Sequence, residues 1–168
     1  MKQLLVNTEV KKTLSKIWEF GVNTCHAPLW LRTDLVGQLK RQHTELGFRY
    51  IRFHDIFGDE LGVVDSEGKF HFERVIQIYK NVLACGMKPF VELSSMPGAL
   101  ASGENNVCFY KFRSDPPARW EAWRELVAAF ARSLTGAFGE EEVKTWYFEV
   151  WNEPDIPFWS GSRDEYFR

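Results

Sequence analysis

Sulfur chemistry is scarce in this sequence. Its three cysteines, Cys25, Cys85 and Cys108, are widely separated and odd in number, and no Cys-x-x-Cys pair occurs. Neither a zinc ribbon nor a disulfide framework is suggested. No apolar run is long enough to span a bilayer, and the opening MKQLLVNTEVKKTL is too polar for a signal peptide. A cytoplasmic location without a membrane partner is therefore expected. Charge of one sign is missing too: 21 Lys and Arg against 23 Asp and Glu give a net charge of −2, with no electrostatic case for nucleic acid. The first strand-like run, GVNTCHAPLWLR, lacks the glycine spacing of a phosphate loop, which argues against a doubly wound nucleotide fold.

What is present is an alternation of two textures. At 168 residues, with no compositional break, the chain reads as one domain, residues 1–168. Strand-like runs occur at Gly21–Ala27, Phe48–Phe57, Lys88–Met96 and in WYFEVW, from Trp146 to Trp151. Between them lie helical patterns: Leu35, Leu39, Gln42 and Leu46 after a Thr33 cap, then Val75, Ile76, Tyr79, Val82 and Leu83 up to Gly86. The third pattern runs Trp120, Trp123, Val127, Phe130, Leu134 and Phe138, with Asp115-Pro116 suited to its start; SRDEYFR resembles the opening turn of a fourth helix. Ser66-Glu67-Gly68 looks like a hairpin tip, and residues 97–117 read as a loop. Strands joined by helices imply a parallel α/β sheet. A (β/α)8 barrel takes roughly 250 residues, so about four βα units here predict the first half of one.

Barrel strands present their C-terminal ends to the active site. Those ends carry His26, then His54 and Asp55, then Glu92, and finally Asn152-Glu153. Each alone has a structural alternative, such as a hydrogen-bonded core histidine or a strand-end carboxylate. Arg52, inside an apolar strand, is expected to pair with a carboxylate and orient it. Asp59-Glu60 reads as a solvated loop pair, with holding the loop in place as the alternative, and Trp120 with Trp123 as core. Together, a glutamate behind an aromatic strand, an amide beside it and a histidine two strands earlier suit glycoside hydrolysis. The acid that protonates the leaving oxygen needs an apolar or anionic setting, and WYFEVW is expected to provide one. Asn152 could hold a sugar 2-hydroxyl and His54 a second hydroxyl.

LGFRYIRFHDIFGDELGVV, GMKPFVELSSMPGALASG and EEVKTWYFEVWNEPD, in this order and covering most of the chain from about Trp18 onward, resemble glycoside hydrolase family 39, the family of β-xylosidases and α-L-iduronidase. Asn-Glu-Pro alone is shared by many barrel glycosidases; RFHDIFGDELGVV and PGALASG narrow the likeness to this family. The resemblance implies retaining hydrolysis of a glycoside without cofactor or metal. It assigns Glu153 as general acid/base, Asn152 as the 2-hydroxyl partner, His54 as a sugar ligand and Phe109 as an aromatic wall. It also implies a nucleophilic glutamate on strand seven, and no residue of this chain matches that place.

Two other readings compete. Family 39-like domains also sit beside DNA-binding helices in regulators, which allows a sugar sensor, although no helix-turn-helix is visible. A metal-dependent barrel hydrolase would use His26, His54 and carboxylates, but the paired histidines of such sites are lacking on the first strand. Four strands without closure would leave two sheet edges unpaired, so self-association is expected; two copies could rebuild an eight-stranded ring.

Overall fold

A computed structural model describes residues 3–5, 9 and 12–168. A 3-10 turn over Ile17–Phe20 leads into strand β1 (Gly21–His26), and a second over Ala27–Leu31 precedes helix α1 (Thr33–Leu46). Strand β2 (Tyr50–His54), helix α2 (Glu73–Ala84) and strand β3 (Lys88–Glu92) follow. The segment after β3 holds a two-stranded antiparallel ribbon, β4 (Asn106–Val107) with β5 (Phe112–Arg113). Helices α3 (Trp120–Phe138) and α4 (Glu140–Val143), strand β6 (Tyr147–Glu149) and helix α5 (Arg163–Tyr166) complete the order.

Strands β1, β2, β3 and β6 form one parallel sheet in that order. Parallel neighbours need a crossover, and α1, α2 and α3 supply it. Burial alternates along β2: Ile51 and Phe53 are buried, while Tyr50, Arg52 and His54 are half-buried. The first set packs against Val75, Ile78, Tyr79 and Val82 of α2 and Phe130 and Leu134 of α3 in one apolar cluster. Each such side chain contributes roughly 1.5–3 kcal/mol by leaving water. The opposite face of the sheet carries the polar residues of interest. No helix among the described residues is long and apolar enough to cross a membrane.

The helix ends follow the sequence signals. Gly47 closes α1 with φ 77°, its N–H donating to the His43 carbonyl at 2.9 Å. Several boundaries differ from expectation. Thr33 is the first residue of α1 rather than its cap; the cap position falls to Arg32, whose side chain makes no capping bond. The buried stripe of α3 is Ala122, Leu126, Phe130 and Leu134, with Trp120 and Trp123 half-buried against a second cluster around Met96, Phe112, Trp151 and Trp159. Asp115 does not cap α3. It is buried and accepts hydrogen bonds from Asn105 N (2.7 Å), Asn105 Nδ2 (2.6 Å) and Ser160 Oγ (3.0 Å), tying the segment after β3 to the segment after β6.

Candidate active site

Arg52 is the centre of a polar cluster on the face of the sheet away from the helices. Its Nε donates to Glu149 Oε2 at 2.7 Å and its Nη2 to Glu149 Oε1 at 3.0 Å. Nη2 also donates to Asn152 Oδ1 at 2.8 Å and forms an ion pair with Glu92 Oε2 at 2.7 Å. Burial works against the Arg52 charge, but its bonds to Glu149 and the charges of Glu92, Glu149 and Glu153 outweigh it and raise its pKa. Glu92, fully buried, also lies with Oε2 2.7 Å from His54 Nδ1 and accepts from the Ser94 hydroxyl. The expectation that Arg52 pairs with and orients a carboxylate is met, twice over.

Asn152 and Glu153 follow β6 because Trp151 anchors the chain there. Its ring is buried against Phe112, Trp123 and Trp159, and its Nε1 donates to the Phe158 carbonyl at 2.7 Å. Asn152 is buried while Glu153 is exposed, and Asn152 Nδ2 lies 3.4 Å from Glu153 Oε2. Glu153 has φ 42° and Asp55, at the end of β2, has φ 71°. Left-handed backbone in non-glycine residues costs on the order of 1–3 kcal/mol and clusters at functional sites. The aromatic setting expected of WYFEVW is only partly there. Trp146 and Trp151 turn into the core, but Tyr147, Phe148 and Val150 are 46%, 48% and 61% exposed, because β6 is an outer strand of the sheet.

The cluster sits toward the C-terminal ends of three neighbouring parallel strands, β2, β3 and β6, with an amide–carboxylate pair just after the last of them. The sequence model of glycosyl hydrolases family 39 matches residues 1–168. The chain belongs to that family. It is 44% identical over 161 residues to a beta-xylosidase of Caldicellulosiruptor saccharolyticus, covering 92% of this chain and 33% of that protein. A beta-xylosidase of Geobacillus stearothermophilus is 36% identical, covering 100% of this chain and 35% of its own length. Among solved structures, a monomeric beta-xylosidase from Caulobacter crescentus CB15 superposes with a TM-score of 0.86 at 38% identity, over 92% of this chain and 32% of that one. The chain thus spans about a third of these relatives.

The remaining candidates fall into a second group beside the first. His26 is buried, stacked on Tyr110 with centroids 4.6 Å apart and edge-on to Phe109 at 5.9 Å. Burial lowers its pKa, partly offset by Glu60, whose Oε2 is 4.0 Å from Nε2. Phe109 is 82% exposed at the turn of the β4–β5 ribbon and lines an open depression of about 440 Å³ with Asp55, Asp59, Glu60, Asn106 and Arg113. Asp55 is buried and accepts from the Ser95 hydroxyl. Burial raises its pKa to about 7, against the Ser95 bond and helped by Asp59 and Glu60. Asp59 is not a free loop charge: it accepts from Gly98 N at 2.7 Å and faces Arg113 at 3.6 Å. Among the described residues no group of three or more His, Cys, Asp or Glu is placed to hold a metal ion.

Glu149 is the site residue that sequence reasoning missed. It stands directly opposite Glu92 across the β3–β6 pairing. Strand alternation is the signal that finds it, since Tyr147 and Glu149 share one face and Trp146 and Phe148 the other. Taken as a continuous apolar approach to Glu153, the run hides it.

Proposed function

We propose that the chain forms the first four βα units of an eightfold barrel, residues 1–168 being part of one catalytic domain. In this reading it supplies the acid/base half of a retaining, β-xylosidase-type site. The observation that carries it is the placement of Asn152 and Glu153 directly after β6, with Asn152 held by Arg52 beside the Glu92–His54 pair. Family membership supplies the reaction class, and the beta-xylosidases among the relatives supply the substrate class.

Glu153 protonates the glycosidic oxygen as the bond to C1 breaks, while a nucleophilic carboxylate attacks C1 from the opposite face. Glu153, now ionised, then takes a proton from the water that displaces the sugar from that carboxylate. Asn152 holds the 2-hydroxyl, His54 a second hydroxyl, and Phe109 closes the cleft as an apolar wall. No cofactor enters this scheme. The nucleophile is expected from a part of the barrel outside this chain: neither Glu92 nor Asp55 matches its place, Glu92 and Glu149 are committed to Arg52, and Asp55 is buried against the Ser95 hydroxyl.

Aryl β-xylosides of graded leaving-group acidity test the assignment. The chain alone is expected to give no turnover, and robust turnover abolished by Glu153→Gln would overturn the missing-nucleophile reading. With the remaining strands supplied, Glu153→Gln should lose most activity on poor leaving groups and least on those that need no proton. Equal loss on every leaving group would sink the acid role. Sugar binding without turnover in the completed protein would favour a sensor.

A further inference from the structure

His54 and Asn152 both trace back to one carboxylate. Glu92 is fully buried, and its Oε2 lies 2.7 Å from His54 Nδ1 and 2.7 Å from Arg52 Nη2. Its other oxygen takes the Ser94 hydroxyl. Arg52 in turn donates to Asn152 Oδ1 at 2.8 Å. We infer that Glu92 is a positioning residue that fixes the hydrogen-bond polarity of the sugar site, making His54 an acceptor at Nε2 and, through Arg52, Asn152 a donor at Nδ2. The sugar half of this statement rests on the proposed function; the polarity does not.

An ionised carboxylate accepts and cannot donate, and the Arg52 guanidinium beside it balances the buried negative charge. The proton of a neutral His54 ring is therefore held on Nδ1, which leaves a lone pair on Nε2. A guanidinium donates and cannot accept, so the Asn152 amide is held with its oxygen toward Arg52 and its NH2 turned away, where Nδ2 stands 3.4 Å from Glu153 Oε2. The imidazole is 14% exposed, and Nε2 has no hydrogen-bond partner among the described residues. A ligand must then offer one hydroxyl that donates to His54 and another that accepts from Asn152. Pyranosides with free hydroxyls meet that demand. A fluorine accepts weakly and cannot donate, so deoxyfluoro sugars distinguish the two positions.

The first experiment needs no sugar. A long-range proton–nitrogen correlation spectrum of the nitrogen-labelled chain at pH 8, with His54 assigned through His54→Gln, should show protonated Nδ1 and bare Nε2. An Nε2–H form or an even mixture overturns the inference. Glu92→Gln should mix the two tautomers while the backbone amide spectrum stays folded, a change that a merely structural role would not produce. If that variant does not fold, the unmodified chain still decides the matter. The second experiment titrates methyl β-xyloside and its monofluorinated analogues into the barrel completed with its remaining strands. Fluorine at C2, facing Asn152, should be tolerated, whereas fluorine at the hydroxyl facing His54 should cost about tenfold in affinity. Greatest loss at C2 would overturn the assigned polarity. An Nδ1–H tautomer beside a completed barrel that takes up no xyloside would uphold the role of Glu92 and count against the proposed function alone.

Discussion

Arg52 and Glu149 meet through two hydrogen bonds, Nε to Oε2 at 2.7 Å and Nη2 to Oε1 at 3.0 Å, so the guanidinium fork is used as a fork. A lysine cannot reproduce it, because an ammonium is a point donor on a flexible stem. Arg52→Met leaves Glu92 and Glu149 without their cation, and the expected loss of stability is about 3–5 kcal/mol. Arg52→Lys should fall between this variant and the parent. Adding Glu92→Gln to Arg52→Met should recover part of the loss. Urea unfolding of the four proteins checks the order; an Arg52→Met variant as stable as the parent would show that the cluster is not held by charge.

Asp55 makes stability depend on pH. Its ordinary pKa is 3.8 and burial raises it to about 7 in the folded chain. Between these values the folded protein keeps a proton that the unfolded chain has lost. Its contribution is thus complete below about pH 4 and is lost as pH rises through 7. The full span is on the order of 4 kcal/mol at 1.36 kcal/mol per pH unit. His26, with its lowered pKa, works in the opposite direction by losing stability as pH falls. The difference between parent and Asp55→Asn isolates the carboxyl. That substitution should favour the folded chain more at pH 8 than at pH 5, and a pH-independent difference would contradict the assignment.

Phe109, the proposed apolar wall, offers a test that separates binding from folding. At 82% exposed, it supports little of the core, so Phe109→Ala should change unfolding free energy by less than about 0.5 kcal/mol. Xyloside affinity of the completed barrel should drop about tenfold, near the 1.4 kcal/mol expected from losing one apolar wall. Calorimetric titration beside a thermal melt reads both. Unchanged affinity would remove Phe109 from the site.

The outer strands β1 and β6 have one unpaired side each among the described residues, and Phe148 and Val150 are exposed on the latter edge. The isolated chain should therefore associate, and Phe148→Lys with Val150→Lys should shift it toward monomer. Sedimentation velocity across a concentration series gives the answer. A compact monomer at every concentration would mean that the edges do not drive pairing.

Much of this is legible in the residues, for reasons that differ by element. The α2 helix is plain because Val75, Tyr79 and Val82 recur at helical spacing and Gly86 stops the pattern. β2 is plain because alternation survives burial, with Ile51 and Phe53 on one side and Arg52 and His54 on the other. The ribbon β4–β5 is not legible: each strand is two residues long, and its turn needs positive φ at Cys108 (63°) and Lys111 (56°) rather than at glycines. Asp115 misleads for a related reason. An Asp-Pro before a helix signals a cap, but the partners that claim its oxygens, Asn105 and Ser160, lie 10 residues before it and 45 after it. The candidate site is visible as a set of residue types at strand ends. Its wiring is not, since nothing local says that Glu92 serves His54 and Arg52 together.

The Arg52 bonds to Glu149 and Asn152 close loops of 97 and 100 residues, whereas the bond between His54 and Glu92 closes one of 38. Loop closure of that length is slow to be rewarded during folding. The Glu92–His54 contact can therefore form as soon as β2 and β3 pair, while Asn152 acquires its orientation only when β6 docks. Of the two groups proposed to meet the sugar, the histidine depends on β2 and β3 alone, whereas the amide depends on β6 as well.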